Sequence, residues 1–209
     1  MSLQYDGISK AYDHIRLTPS SVIRKEHVRT KVEPYIRGSR VLDLACGSGG
    51  FTFDLIQWGA ACVVGVDISP VMIEEAKNKG EYLRANSKNG IRDKIKDCIT
   101  YHVADCTKAV VYPGGPFDVV FAAWLLNYAP TKEDMIAMFR TVSVNLAEGG
   151  YFFTILPPNS HNPRETIEHH NRIRPPRERK SGFFADRIED INTRIPAVFF
   201  FRSMTECII

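Results

Sequence analysis

"VLDLACGSGG" (Val41–Gly50) sets three branched apolar residues around one carboxylate, Asp43, and follows them with a break rich in glycine. The apolar run reads as a buried strand and the glycines as a turn. Gly47, Gly49 and Gly50 let backbone approach a ligand with no Cβ in the way. A helix opening near Gly50 aims its unpaired N–H groups at the same spot. Two linked questions follow: why a buried strand carries a carboxylate, and what lies over the turn.

Outward from this stretch, short apolar runs alternate with helical patterns. "RVLDLA" (40–45) reads as a strand, and "FTFDLIQWGA" (51–60) as a helix stopped by a glycine. "CVVGVD" (62–67) is the next strand. Ser69 can cap a helix with Pro70 at its first position, where a missing N–H costs nothing, running to Gly80. "ITYHVAD" (99–105) and "FDVVFAAW" (117–124) are strands. Thr131 with Asp134 matches a capping box opening "KEDMIAMFRTVSVNLA", and Gly149–Gly150 turns the chain into the strand "YFFTIL" (151–156). Such alternation predicts an α/β fold: a doubly wound, mostly parallel sheet with helices on both faces. Unalternated runs such as "VVFAAW" fit strands buried on both sides. Right-handed crossovers then bring all the strand C-ends to one edge, where ligands bind.

Composition sets the outer bounds. The 209 residues suffice for one domain, 44% hydrophobic and 24% charged, with net charge +3. That charge requires neither nucleic acid nor membrane. The five cysteines form no CxxC pair, which argues against a disulfide frame or structural zinc, and no metal site is expected. "MSLQYDGISK" lacks the apolar core of a signal peptide, so a cytoplasmic location is expected. Histidines 169 and 170 are adjacent and read as solvated. The segment "RIRPPRERK" (172–180) has five basic residues and one acid, and reads as a solvated loop rather than a nucleic-acid contact.

Two ligand classes use a strand, a glycine turn and a helix in this way: dinucleotides and S-adenosylmethionine. Counted from Gly47, the last place of the dinucleotide pattern G-x-G-x-x-G/A falls on Thr52, which is neither residue. Asp43 suits a ligand carrying an ammonium and a sulfonium and would repel a pyrophosphate. "VLDLACGSGG" followed by "VVGVDISPVMIEEAK" resembles the first motif and second acidic strand of class I S-adenosylmethionine-dependent methyltransferases. Ala45 stands where that family's pattern has its first glycine. "YDGISKAYDHI" (5–15) is similar to the N-terminal lid of the small-molecule branch, which includes quinone-type and fungal toxin enzymes. "FAAWLLNYAPTKEDMIAMFRTVSVNLAEGGYFFTI" resembles that branch's fourth strand, fourth helix and fifth strand. The likeness covers about residues 5–156.

The resemblance implies roles. Asp43 should hold the ligand's amino group, directly or through water, with Ala45, Gly47 and Gly49 along its methionine part. Asp67, 20 residues after Gly47, should accept both ribose hydroxyls. Ile68 should pack on the adenine, and Met72, one turn on, is counted among the cofactor contacts. Asp105 and the Cys106 amide should meet the adenine, the Ala123 carbonyl the ammonium, and Tyr12 the carboxylate. Simpler readings stand beside these: Asp67 as a neighbour of the Ser69 cap, Asp105 as a turn residue, Cys46 and Cys106 as small buried residues. Trp124, Leu125, Leu126 and Tyr128 are either core or substrate wall.

The implied reaction is methyl transfer to O, N or S of a small, largely apolar molecule. Candidate bases near the mouth are Tyr5, Tyr12, His14 and Tyr128; a thiol acceptor would need none. Alternatives are an RNA methyltransferase, a nicotinamide oxidoreductase, and a non-catalytic cofactor-binding protein with a truncated substrate half. The expected organisation is a helical lid (1–38), a cofactor-binding core (39–158), and a basic loop with a C-terminal strand segment (159–209). Residues 157–196 hold six prolines, and "AVFFF" (197–201) is the segment that reads as a strand there. At most one clear strand is therefore expected after residue 157, with the sheet incomplete and its open edge able to pair with a second copy.

Overall fold

A computed structural model describes residues 19–86, 97–156 and 205–208. The first helix among the described residues, α1 (Pro19–Ile36), precedes β1 (Arg40–Leu44), α2 (Gly50–Gln57), β2 (Cys62–Asp67) and α3 (Pro70–Asn86). β3 (Ile99–Val103), β4 (Phe117–Ala123), a 3-10 turn (Leu126–Tyr128), α4 (Lys132–Asn145), β5 (Leu146–Leu156) and β6 (Thr205–Ile208) follow. The sheet order is β3-β2-β1-β4-β5-β6. The first five strands run parallel and β6 is antiparallel to β5. This is the expected Rossmann-like sheet, with β1 at its centre. Strand order reverses between β1 and β4, so the crevice beyond their C-ends is where a ligand should sit.

Two apolar clusters cover the faces. One packs Val28, Val32 and Ile36 of α1 and Leu55 and Ile56 of α2 on Val41, Val63, Val119 and Phe121. The other packs Met138 and Val142 of α4 on Leu42, Leu44, Val64, Val120 and Phe152. Alternate residues of β1 thus serve opposite faces, as pleating requires. Lys25 of α1 pairs with the buried Asp54 of α2 at 2.5 Å, tying α1 to the core.

Three boundaries differ from expectation. α3 does not stop at Gly80 but continues to Asn86; a mid-helix glycine costs only about 1 kcal/mol, and the "EYLRAN" that follows is rich in helix formers. β5 begins at Leu146, before the glycine pair, because Phe117 pairs with Leu146 while Val119 pairs with Tyr151. A register shift absorbs the intervening residues. The late strand is Thr205–Ile208 in "TECII", pairing Leu156 with Thr205 and Phe153 with Ile208. The open edge of β5 supplies a tertiary partner that overrides the weak local signal. "AVFFF" lies outside the described residues.

Candidate functional site

The turn after β1 is built from left-handed residues. Ala45 (φ 58°), Gly47 (φ 54°) and Gly49 (φ 77°) all have positive φ, and Gly49 is the N-cap of α2. The Cys46 amide donates to Val66 O at 3.0 Å and the Gly49 amide to Cys46 O at 3.0 Å. The glycines that the sequence groups together have separate jobs. A Cβ on Gly47 would meet nothing within 4 Å, whereas one on Gly49 would stand 2.8 Å from Tyr101 Oη and 3.0 Å from Phe53. Gly47 borders open space; Gly49 permits close packing of α2 on β3.

Asp67 ends β2 and binds two amides. Its Oδ2 accepts from the Gly47 N–H at 2.8 Å and its Oδ1 from the Ser69 N–H at 2.9 Å. The reading of Asp67 as a neighbour of the cap therefore describes one oxygen, while the other holds the glycine turn. Ser69 Oγ accepts from the Met72 N–H at 3.1 Å, the expected cap above Pro70. Ile68 beside it is 39% exposed, an open apolar side chain, while Met72 is buried.

Asp105 and Cys106 follow β3. Asp105 Oδ1 accepts from both the amide (2.9 Å) and the hydroxyl (2.7 Å) of Thr107, so the turn reading of Asp105 holds for that oxygen. The loop is clamped from α4 by two residues that the sequence reading missed. Thr141 Oγ1 donates to Cys106 O at 2.8 Å. Asn145 Oδ1 accepts from the Tyr112 N–H at 2.8 Å, and its Nδ2 donates to Val110 O and to Thr141 O, each at 2.8 Å. Both residues are fully buried on the face shared with Met138 and Val142. Two polar residues four apart within an apolar stripe were the available signal.

Asp43 is 1% exposed and lies on the central strand between Gly65 of β2 and Phe121 of β4. Its Oδ2 accepts the Thr52 hydroxyl at 2.6 Å. Burial raises the Cys46 thiol well above its ordinary range and pushes Cys106 up to about 12, with neighbouring carboxylates adding to both. Neither is a thiolate nucleophile at neutral pH, in line with the small-buried-residue reading.

Ala123 closes β4, and Trp124 after it takes φ 66°, its N–H bonded to Ile155 O at 2.9 Å. Arg24 of α1 stands over the Trp124 ring at 5.6 Å. Leu125 and Leu126 are core, while Trp124 and Tyr128 are half-buried at the edge. The structure thus gathers Ala45, Gly47, Asp67, Ile68, Asp105, Cys106, Ala123 and Tyr128 at the C-terminal edge of the sheet, with Asp43 beneath. Tyr5, Tyr12, His14, the histidine pair and the 172–180 segment lie outside the described residues. Among the described residues no three His, Cys, Asp or Glu side chains could hold a metal ion, and no helix is long and apolar enough to cross a membrane.

Residues 41–150 match the family model described as a methyltransferase domain. Over 130 residues the chain is 34% identical to the mRNA cap guanine-N(7) methyltransferase of Caenorhabditis elegans, covering 58% of this chain and 32% of that protein. Over 169 residues it is 24% identical to the probable methyltransferase ltbC of Aspergillus luteorubrus, covering 80% of this chain and 54% of that one. In fold it is similar to magnesium protoporphyrin IX methyltransferase of Synechocystis PCC 6803 with S-adenosylmethionine bound, at TM-score 0.53 and 23% identity, covering 76% of this chain and 69% of that one. The chain spans between about a third and about half the length of the curated relatives it matches.

Proposed function

This chain belongs to the methyltransferase-domain family, class I in fold, and on that premise we propose that it transfers methyl from S-adenosylmethionine to O, N or S of a small, largely apolar molecule. The observation that carries the cofactor reading is Asp67, bound to the Gly47 amide at 2.8 Å where that turn borders open space. A ribose seated there would meet the Asp67 carboxylate at the end of β2, with Ile68 open beside it for the adenine. Asp105 follows β3, the next strand in the sheet, and in this reading meets the adenine. The charge of Asp43 behind the turn suits the ammonium and sulfonium and disfavours a pyrophosphate. Thr52, buried and bonded to Asp43, fills the place a dinucleotide pattern gives to glycine or alanine.

When bound, the cofactor supplies an activated methyl group and its own leaving group. The protein's part is then to orient the acceptor against it and exclude water, worth roughly 7–11 kcal/mol in favourable cases. Trp124 and Tyr128, half-buried where β4 ends, supply aromatic wall for an apolar acceptor. The likeness to the cap enzyme favours a second reading, RNA as acceptor. Mass spectrometry with methyl-labelled cofactor, offered a panel of small phenols, amines, thiols and carboxylic acids beside capped RNA, separates the two. Label in a small molecule supports the proposal; label only in RNA overturns the choice of substrate. An absence of S-adenosylmethionine binding by calorimetry overturns the cofactor reading as well.

A further inference from the structure

Thr52 is used by none of the cofactor contacts proposed above, yet it is one of the most deeply placed polar residues in the fold, with no exposed surface. It is the third residue of α2, and helical side chains lean toward the N-terminus. Its hydroxyl therefore reaches back under the glycine turn to Asp43, nine residues earlier, and donates to Oδ2 at 2.6 Å. A bond this short to a charged acceptor holds direction as well as position. Tyr101 closes the underside. A Cβ on Gly65 would lie 2.7 Å from its ring and one on Gly49 2.8 Å from its hydroxyl. The Thr52 hydroxyl thus holds one oxygen of a carboxylate that is itself 1% exposed.

We infer that Thr52 is a positioning residue: by holding Asp43 it aims that charge at the turn and so selects ligands whose amino-acid end carries an ammonium. The inference rests on the proposed cofactor reading and deepens it. Two ligands isolate the effect: S-adenosylhomocysteine, which carries the ammonium, and 5′-methylthioadenosine, the same nucleoside without the amino acid. Calorimetry on the whole chain compares wild type with Thr52→Val and Thr52→Ser. The valine variant should bind S-adenosylhomocysteine about tenfold more weakly, as for loss of one hydrogen bond to a charged group. It should bind methylthioadenosine within about twofold of wild type, and serine should restore most of the loss. Should the valine variant not fold, Thr52→Ala removes the hydroxyl without added bulk and is read in the same way. Equal weakening of both ligands, or no weakening of either, overturns the inference and leaves the cofactor reading standing. A wild-type chain that binds neither ligand overturns both.

Discussion

Ala45 holds a left-handed backbone at φ 58° without being glycine, which costs roughly 1–2 kcal/mol. Ala45→Gly should therefore stabilise the chain by up to about 1 kcal/mol, part of the relief being offset by the freer unfolded state; urea melts measure it. The two glycines beyond should part company. Gly49→Ala adds a contact of 2.8 Å with Tyr101 Oη to backbone strain and should cost about 2–4 kcal/mol of stability. Gly47→Ala meets no atom, so its stability loss should stop at about 1–2 kcal/mol of strain while S-adenosylmethionine affinity falls as the Cβ enters the ligand's space. Asp67→Ala should weaken S-adenosylmethionine by about 1.5–3 kcal/mol. An intact fold with unchanged affinity in that variant rules out the ribose assignment. At this scale the spacing along the chain singles out Asp67 and the glycines, and the Ser69 amide on one Asp67 oxygen is a local contact, whereas the Gly47 amide on the other comes from 20 residues away and the end of the neighbouring strand.

At the scale of elements, α4 does more than cover the sheet. Its N-terminus was legible, because Thr131 Oγ1 accepts from the Asp134 N–H at 3.1 Å as the capping pattern requires. Its grip on the loop after β3 was not, because that grip joins residues 33 to 35 positions apart. Asn145→Ala removes one acceptor and two donors from buried backbone groups and should cost about 2–4 kcal/mol by denaturant titration. Amide exchange should quicken at Tyr112, whose N–H loses its partner, while the β1–β2 ladder stays protected. Unchanged exchange at Tyr112 would show that the loop keeps its shape without the clamp.

At the scale of the whole molecule, the order β3-β2-β1-β4-β5-β6 gathers residues from four strand ends into one crevice. A ligand bound only by the folded chain raises its stability by RT ln(1 + [L]/Kd), about 2.7 kcal/mol at a hundredfold excess over Kd. For a chain of 209 residues that is a rise in Tm of roughly 5–11 °C. S-adenosylmethionine should produce it in a thermal-shift assay and NAD should not. β6 is the edge strand of the sheet. Deleting residues 205–209 bares the main-chain groups of β5, and the expected outcome is a lower Tm with self-association that rises with concentration, read by light scattering.

Local chemistry sufficed for much of this protein. Apolar runs of strand length, the Ser69-Pro70 and Thr131 caps, and the carboxylate-then-glycine spacing are properties of neighbours in the chain. The sequence by itself therefore determined the parallel sheet and placed Asp67 and Asp105 at the C-terminal ends of its strands. Tertiary structure alone decided what depends on distant partners. It set β6 in "TECII" against an open edge, made Gly49 a packing residue through Tyr101, and placed Thr141 and Asn145 against the loop after β3. The Thr52–Asp43 bond lies between the two. Both residues stand in the opening stretch and its helix, but only the folded turn brings the hydroxyl to the carboxylate. A backbone's local preferences are worth a few tenths to about 1 kcal/mol per residue. Buried hydrogen bonds and close packing act with comparable or larger energy across any sequence distance, and pattern along the chain does not record them.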